Sequence, residues 1–232
     1  MIKIVVAGAL GRMGKRIIEL AEKDPELKVL GKIEKEAYPK LGIVSDPKEV
    51  KSPYDCIIDF TAPLATMKLL KDAENLKKAI VIGTTGLSSE EMKLIYKSSK
   101  NIPVVFSPNM SVGVNVFFNL IEKSALSLGN DYKVRISETH HIHKKDKPSG
   151  TARFMKEIVE KKLDGVEIPV ESIRMGEVIG DHEIIFESAG DTIKISHSAK
   201  TRDILALGAL KAAKFVSKKQ NGIYSMREVL GL

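Results

Sequence analysis

The chain has little cysteine, few aromatic residues and no long apolar run, and each shortage excludes a class of protein. One cysteine among 232 residues rules out a disulfide within the chain and favours a reducing compartment. No apolar run approaches the roughly 20 residues that a membrane-spanning helix needs. The first apolar stretch, residues 2–9, is too short for a signal peptide and includes a glycine. We therefore expect a soluble, cytoplasmic protein that does not contact a membrane.

Charged residues are abundant and carry a positive excess. Lys and Arg total 37 against 30 Asp and Glu, which gives a formal net charge of +7. Such a balance is also found in proteins that bind nucleic acid. Here the lysines are interspersed with glutamates on predicted helices, and aromatic residues make up only 5% of the chain, so no aromatic platform for bases is evident. The excess charge therefore indicates small phosphorylated or carboxylated ligands and no nucleic acid.

A glycine-rich loop follows the first apolar run. Residues 2–7 have the nearly continuous apolar character of a buried parallel strand. In the loop, Gly8 permits a tight turn, Gly11 lets a pyrophosphate approach the backbone, and Gly14 lets the next helix pack on the strand. Glu34 ends the second strand, 20 residues after Gly14, where a carboxylate binds a ribose hydroxyl in such folds. Together these features predict a dinucleotide site.

Strands and helices alternate up to about residue 111, and the pattern then changes. Turns rich in glycine and threonine follow the later strands, at the strand ends where parallel sheets bind ligands; Thr84 and Thr85 are equally consistent with ordinary turn chemistry. After residue 112 comes a long apolar helix, followed by strands without helices between them, which indicates an α+β layer. The last amphipathic helix, residues 202–216, has an apolar stripe that predicts its return to the first sheet.

The predicted fold class is therefore α/β with two domains. Residues 1–111 and 201–232 are expected to form a Rossmann-type, dinucleotide-binding parallel sheet. Residues 112–200 are expected to form a second α+β domain, with a mixed sheet, helices on one face, and roles in substrate binding and oligomerisation. His182 and His197 lie within its strands, and we interpret both as structural.

Residues 139–152 read THHIHKKDKPSGTA and concentrate polar chemistry. His140 belongs to a group of three histidines, and the imidazole pKa suits proton transfer near neutrality. Lys144 and its neighbouring lysines supply positive charge for an anionic substrate. Ser149 and Gly150 precede a predicted helix, whose free N–H groups form a carboxylate site.

Two other interpretations of this segment remain open at this point. A basic loop is often only a solvated surface. Clustered histidines also ligate zinc, but three lysines would repel a dication and Cys56 is distant in sequence. We therefore predict no metal.

The motif His140-His141-x-His143-Lys144-x-Asp146-x-Pro148-Ser149-Gly150-Thr151-Ala152 closely resembles the signature loop of the dihydrodipicolinate reductase family. The resemblance extends to residues 8–14, 59–61, 83–86 and 108–111 and to the ending at residues 226–230. It therefore covers nearly the whole chain. Two departures are a shorter chain than many members have, and Leu10 at a loop position where many relatives have glycine.

The resemblance implies reduction of 4-hydroxy-tetrahydrodipicolinate (dihydrodipicolinate) to tetrahydrodipicolinate, in lysine and diaminopimelate biosynthesis, with NADH or NADPH. It implies His140 as proton donor and Lys144 as its catalytic partner. Small-dicarboxylate binding is expected from His141, Ser149, Gly150, Thr151 and Thr85. Cofactor contacts are expected from Gly8, Ala9, Leu10, Gly11, Arg12, Met13, Glu34, Lys35, Gly83, Thr84, Thr85, Ser107, Pro108, Asn109 and Met110. Family members are usually homotetramers, so we expect that assembly.

Two other functions are consistent with the first domain alone. One is a module that senses dinucleotides without catalysis, and the other is a neighbouring oxidoreductase, such as an amino-acid or semialdehyde dehydrogenase. Neither explains the histidine and lysine segment before the helix.

Overall fold

The structure is a computed structural model that describes residues 1–232. Its strands and helices in chain order are β1 (Ile2–Ala7), α1 (Arg12–Ala21), β2 (Leu27–Ile33), β3 (Ile43–Val44), β4 (Cys56–Asp59), α2 (Pro63–Leu76), β5 (Ala79–Ile82), α3 (Ser89–Ser98), β6 (Pro103–Phe106), α4 (Val112–Leu128), β7 (Lys133–His140), α5 (Gly150–Glu160), β8 (Val170–Arg174), β9 (Asp181–Glu187), β10 (Thr192–Ser198), α6 (Asp203–Val216), β11 (Gly222–Tyr224) and α7 (Met226–Leu230). No helix is both long enough and apolar enough to cross a membrane.

The chain divides into two compact units. Unit 1 contains residues 1–112 and 205–231, and unit 2 contains residues 113–204 together with Leu232. The sequence prediction placed the domain boundaries after residue 111 and before residue 201. In the structure, the chain passes from one unit to the other within α4 and again within α6.

Unit 1 is built on a seven-stranded sheet in the order β11-β6-β5-β4-β1-β2-β3. All its strand pairs are parallel. The order reverses between β1 and β4, and in such sheets the carboxyl ends of the strands at the reversal form the ligand crevice. The predicted Rossmann-type sheet is confirmed.

The apolar strands of unit 1 are buried because helices cover both faces of the sheet. One core cluster joins β1 and β4 to α1 and α6, and the other joins these strands to α2 and α3. Local signals fix the helix ends: the Ser88 hydroxyl caps α3 and Glu91 completes a capping box. Helix α6 packs on unit 1 through Ala206, Ala209 and Ala213, whose small side chains are fully buried.

Unit 2 is built on a four-stranded sheet in the order β10-β9-β7-β8. Strands β7 and β8 pair in parallel, whereas β9 is antiparallel to both of its neighbours. Helices α4 and α5 pack on one face, where Ile136, Ile184 and Phe186 alternate with residues of the opposite face. The mixed sheet with helices on one face is therefore confirmed. Because the chain leaves β7 at His140, the histidine and lysine segment begins at the carboxyl end of this interior strand.

Candidate functional sites

The glycine positions in the first loop of unit 1 have little room for a side chain. Gly8 has a φ of +76°, a left-handed conformation that favours glycine. A Cβ on Gly14 would lie 2.0 Å from the carbonyl oxygen of Gly8, and a Cβ on Gly11 would lie 3.1 Å from the same oxygen. The N–H groups of residues 8–11 are hydrogen-bonded within the protein. The glycines let α1 pack against β1, and the first turn of α1, whose N–H groups have no partner within the helix, then offers the phosphate site.

Glu34 ties this loop to the end of β2. Its Oε1 accepts a hydrogen bond of 2.7 Å from the Leu10 N–H. A cavity of about 850 Å³ is lined by Gly8, Gly11, Glu34 and Lys35, among other residues. The start of α1, beside a carboxylate and a lysine, suits the phosphate and ribose groups of a dinucleotide. The residues present therefore fit NADH or NADPH. Among the predicted cofactor contacts, the side chain of Ala9 is buried.

A buried carboxylate that the site prediction omitted joins the neighbouring loops. Asp59 is fully buried and accepts hydrogen bonds from the hydroxyls of Thr61 (2.6 Å), Thr66 (2.6 Å) and Thr84 (3.2 Å). Burial raises the pKa of Asp59, and the threonine bonds oppose that rise. The Thr84 side chain is therefore buried and hydrogen-bonded to Asp59, whereas Thr85 is exposed. Asp59 thus fixes the predicted segment 83–85 to the end of β4.

The remaining predicted cofactor segment, residues 107–110, is only partly accessible. Met110 belongs to the core, and a Cβ on Gly208 would lie 1.7 Å from the Met110 carbonyl oxygen. Ser107 is buried and donates to the Asn109 carbonyl oxygen over 3.0 Å. Pro108 is exposed and Asn109 is half-buried, so these two residues are the accessible part of the segment.

In unit 2, strand β7 directs Glu138 and His140 to the same face because alternate residues of a strand share a face. Both side chains are buried, and a Glu138 Oε2 to His140 Nδ1 contact joins them. The other carboxylate oxygen of Glu138 accepts from Arg174 Nη1 at 3.0 Å and from the Ser149 N–H at 3.3 Å. These residues and His182 form what we call the Glu138 cluster: Glu138, His140, Ser149, Arg174 and His182.

His182 completes the cluster from β9. Its ring lies 5.0 Å from the ring of His140, and its Nε2 lies 3.3 Å from the Ser149 hydroxyl. Burial lowers the pKa of His182 to about 4, and the neighbouring His140 adds to the shift. The interpretation of His182 as merely structural is therefore incomplete, because the cross-strand pairing of β7 and β9 brings it into the site. His197 lies on β10, opposite His182.

Arg174 shapes the segment that carries Lys144. Its guanidinium donates to the carbonyl oxygens of Lys144 (3.3 Å) and Asp146 (2.6 Å). The Lys144 ammonium in turn forms an ion pair with Asp146 at 2.8 Å. No sequence signal marked Arg174, which lies 30 residues beyond Lys144 at the end of β8. Its bonds hold the loop so that Lys144 stays near the Glu138 cluster.

Opposing effects set the charge of His140. Burial lowers the pKa of His140, the Glu138 carboxylate raises it, and the charges of Lys144 and Arg174 lower it again, with a net lowering. For Glu138, burial raises the pKa, but bonds from Ser172, His140 and Arg174 outweigh burial and lower it. The free protein therefore pairs a carboxylate with a mostly neutral histidine at neutral pH.

The cluster also has the donor set of a metal site. One ligand atom each from Glu138, His140 and His182 lies within 4.8 Å of the others. However, Arg174 already bonds the same carboxylate, so a dication would have to displace a positive group. The chemistry therefore favours proton transfer over metal binding.

The start of α5 offers an anion site beside the cluster. The Ser149 hydroxyl caps the helix by accepting from the Ala152 N–H at 3.2 Å. The N–H groups of Gly150 and Thr151 belong to the first turn, where an α-helix has no internal partner for them. Gly150 is exposed, and His141 and Thr151 are half-buried, so all three are accessible to a carboxylate ligand.

Comparison with known proteins matches both units to one family. The family model described as "Dihydrodipicolinate reductase, N-terminus" matches residues 2–110, and the one described as "Dihydrodipicolinate reductase, C-terminus" matches residues 113–230. The 4-hydroxy-tetrahydrodipicolinate reductase of Syntrophus aciditrophicus is 40% identical, with 100% of this chain and 99% of the relative covered. The enzyme of the same name from Chromohalobacter salexigens is 38% identical, with the same coverage.

Solved structures agree with the fold. A dipicolinate-bound dihydrodipicolinate reductase from Paenisporosarcina sp. TG-14 matches 98% of each chain, with a TM-score of 0.84 at 19% identity. An amine dehydrogenase from Mycobacterium smegmatis matches 97% of this chain and 95% of its own, with a TM-score of 0.68 at 11% identity. At these identities the likeness concerns the fold alone.

Proposed function

The chain belongs to the dihydrodipicolinate reductase family, and we propose that it reduces 4-hydroxy-tetrahydrodipicolinate (dihydrodipicolinate) to tetrahydrodipicolinate in lysine and diaminopimelate biosynthesis. It is an NAD(P)H-dependent oxidoreductase that acts on a small dicarboxylate. The observation that carries the proposal is the combination of His140, Lys144 and the open first turn of α5 in unit 2. A proton donor, a cation and a carboxylate site are the groups that this substrate needs.

Unit 1 holds the cofactor in this proposal. The loop of residues 8–13 binds the pyrophosphate. Glu34 and Lys35 contact the ribose that carries the adenine. Residues 83–85 and 107–110 line the rest of the site, through their accessible groups. When bound, NADH or NADPH supplies the hydride.

Unit 2 supplies the proton and the substrate contacts. The 4-hydroxy group leaves as water, which gives the conjugated imine of dihydrodipicolinate. Hydride addition to that imine leaves an enamine, which needs a proton on the adjacent ring carbon, and His140 donates it. The Lys144 ammonium is a compact positive charge on a flexible stem, so it holds a carboxylate or stabilises developing charge. His141 and the N–H groups of Gly150 and Thr151 bind substrate carboxylate, with Ser149 capping the helix; Thr85 of unit 1 is proposed as a further substrate contact.

The assembly and location complete the proposal. We expect a homotetramer in the cytoplasm, formed through the face of the unit 2 sheet that α4 and α5 leave uncovered. That face carries Arg135, Glu183 and Lys194, and an ion pair of 3.3 Å joins Arg135 to Glu187 within it. Light scattering of the purified protein tests the assembly, and a monomeric mass at micromolar concentration would contradict it.

The reaction itself is tested by mixing the purified protein with NADH or NADPH and the condensation product of pyruvate and aspartate semialdehyde. We expect the absorbance of the reduced cofactor to fall only when the protein, the cofactor and the condensation product are all present. Cofactor binding without turnover would instead indicate a dinucleotide-sensing module. Turnover with amino-acid or semialdehyde substrates alone would indicate a neighbouring dehydrogenase.

Cofactor preference provides a sharper test of Glu34. Its carboxylate favours a free ribose hydroxyl and repels a 2′-phosphate, while the exposed Arg12, Lys15 and Lys35 attract that phosphate. We expect the dissociation constants of NADH and NADPH to differ by less than about a hundredfold, or ~2.7 kcal/mol. Glu34→Ala should shift the preference towards NADPH, measured by titration of each cofactor.

The matched variant Glu34→Gln separates two effects. It removes the charge but keeps an oxygen that accepts from the Leu10 N–H. Both variants should shift the preference equally, and only Glu34→Ala should also weaken NADH binding through the loosened loop. An unchanged ratio in both variants would show that Glu34 does not face the ribose.

A further inference from the structure

The carboxylate of Glu138 occupies an unusual position for a charged group. Glu138 is only 1% exposed. Burying a charged group is unfavourable unless the group is paired and hydrogen-bonded. The partners of Glu138 are the ring of His140, the guanidinium of Arg174, the N–H of Ser149 at the start of α5, and the Ser172 side chain of β8. The carboxylate therefore joins β7, β8 and α5 at one point.

The contact with Glu138 distinguishes the two ring nitrogens of His140. A carboxylate only accepts hydrogen bonds, so Nδ1 must carry the hydrogen that it donates to Glu138. The second nitrogen, Nε2, faces Gly180, where an added Cβ would lie 3.0 Å from it. Because Gly180 has no side chain, no Cβ blocks Nε2 at this position.

We propose that Glu138 is a positioning residue for proton transfer: it binds Nδ1–H of His140, fixes the ring, and leaves Nε2 as the nitrogen that donates the proton to substrate. This inference rests on the proposed role of His140 in the reduction. In the step, protonated His140 loses its Nε2 proton to the ring carbon of the enamine. It becomes the neutral ring with Nδ1–H still bound to Glu138, and water returns the proton afterwards.

Glu138 also sets how much of His140 is charged. The groups that face His140 are Glu138 on β7, Arg174 on β8, His182 on β9 and Lys144 in the loop. Glu138 is the only carboxylate among them, and without its charge the remaining effects all disfavour the protonated ring. Activity needs the protonated ring, so kcat/KM falls as the pH rises through the pKa of His140.

The test is Glu138→Gln. We expect this variant to lower kcat/KM at neutral pH by about tenfold for each unit by which the pKa of His140 falls. Activity should recover as the pH is lowered, because His140 is then protonated again. The dissociation constant for NADH should stay unchanged. A residue that only supported the fold would lower activity equally at every pH.

A spectroscopic measurement makes the test independent of turnover. Nitrogen NMR of the labelled His140 ring should show a neutral form with hydrogen on Nδ1 in the parent protein. In Glu138→Gln it should show a mixture of the two neutral forms and a lower pKa. The matched control is Glu157→Gln on the exposed face of α5, which should change neither the spectrum nor the pH profile.

The outcomes separate this inference from the proposed function. A parent protein without reductase activity would contradict the function, whereas the ring spectra would still decide the role of Glu138. Unchanged ring spectra and an unchanged pH profile in Glu138→Gln would overturn the inference. If the unpaired Arg174 prevents that variant from folding, Glu138→Gln with Arg174→Gln removes the buried carboxylate together with its charged partner, and the same spectra of His140 apply.

Discussion

Replacing His140 with glutamine is expected to lower kcat by roughly a hundred- to ten-thousandfold, the usual contribution of a positioned general acid. Glutamine keeps a polar side chain of similar reach but cannot donate a proton as an acid. The KM for substrate should change little, because the carboxylate contacts come from other groups. Steady-state kinetics with the cyclic substrate, together with titration of NADH, measure both quantities.

Lys144→Met provides the contrast. It should lower kcat as well, but it should also raise KM, because the lost ammonium takes part in substrate binding. Both variants should bind NADH as the parent protein does. Near-normal turnover of His140→Gln across the pH range would show that the proton comes from Lys144 or from water.

The second large effect is expected from Gly14→Ala. The new methyl group would lie 2.0 Å from the Gly8 carbonyl oxygen, so α1 must move away from β1 or the glycine loop must change shape. Overpacking of this kind destabilises a protein by roughly 1–3 kcal/mol. Displacement of the loop should also weaken NADH binding by more than about tenfold, or ~1.4 kcal/mol.

Thermal unfolding and titration of NADH measure the two consequences. Gly190→Ala is a suitable control, since its methyl group would meet nothing nearer than the Ser188 hydroxyl at 3.9 Å. Gly11→Ala should have a smaller effect than Gly14→Ala, because its contact distance is 3.1 Å. Unchanged NADH affinity in Gly14→Ala would exclude this loop as the pyrophosphate site.

The fold was largely predictable because its main elements carry their own signals. Buried parallel strands appear as continuous apolar runs, and Ser88 marks the start of α3 through its side chain. Three short elements, β3, β11 and α7, were not predicted. Strand β3 has only two residues, and β11 is half-buried and pairs only with β6. Tertiary pairing creates such strands, so no local periodicity indicates them.

The sequence likewise predicted only part of the candidate site in unit 2. His140, Lys144 and Ser149 lie close together in sequence, so one motif indicated them. Glu138 was missed although it precedes His140 by two residues, because a glutamate in a strand usually faces solvent. Arg174 and His182 reach the site from β8 and β9, and only the strand register places them there. The confirmed family resemblance did not indicate these three residues.

The discontinuity of unit 1 has a consequence for the order of synthesis. The face of the parallel sheet that α6 covers stays open until residues 205–231 have been made. At 5–20 residues per second, synthesis of the intervening residues 113–204 takes roughly 5 to 20 s. During that interval the nascent amino-terminal segment presents apolar surface to other chains and to chaperones. Unit 2 is almost entirely one continuous segment. It can therefore complete its core before unit 1 does, although the first segment of unit 1 is synthesised earlier.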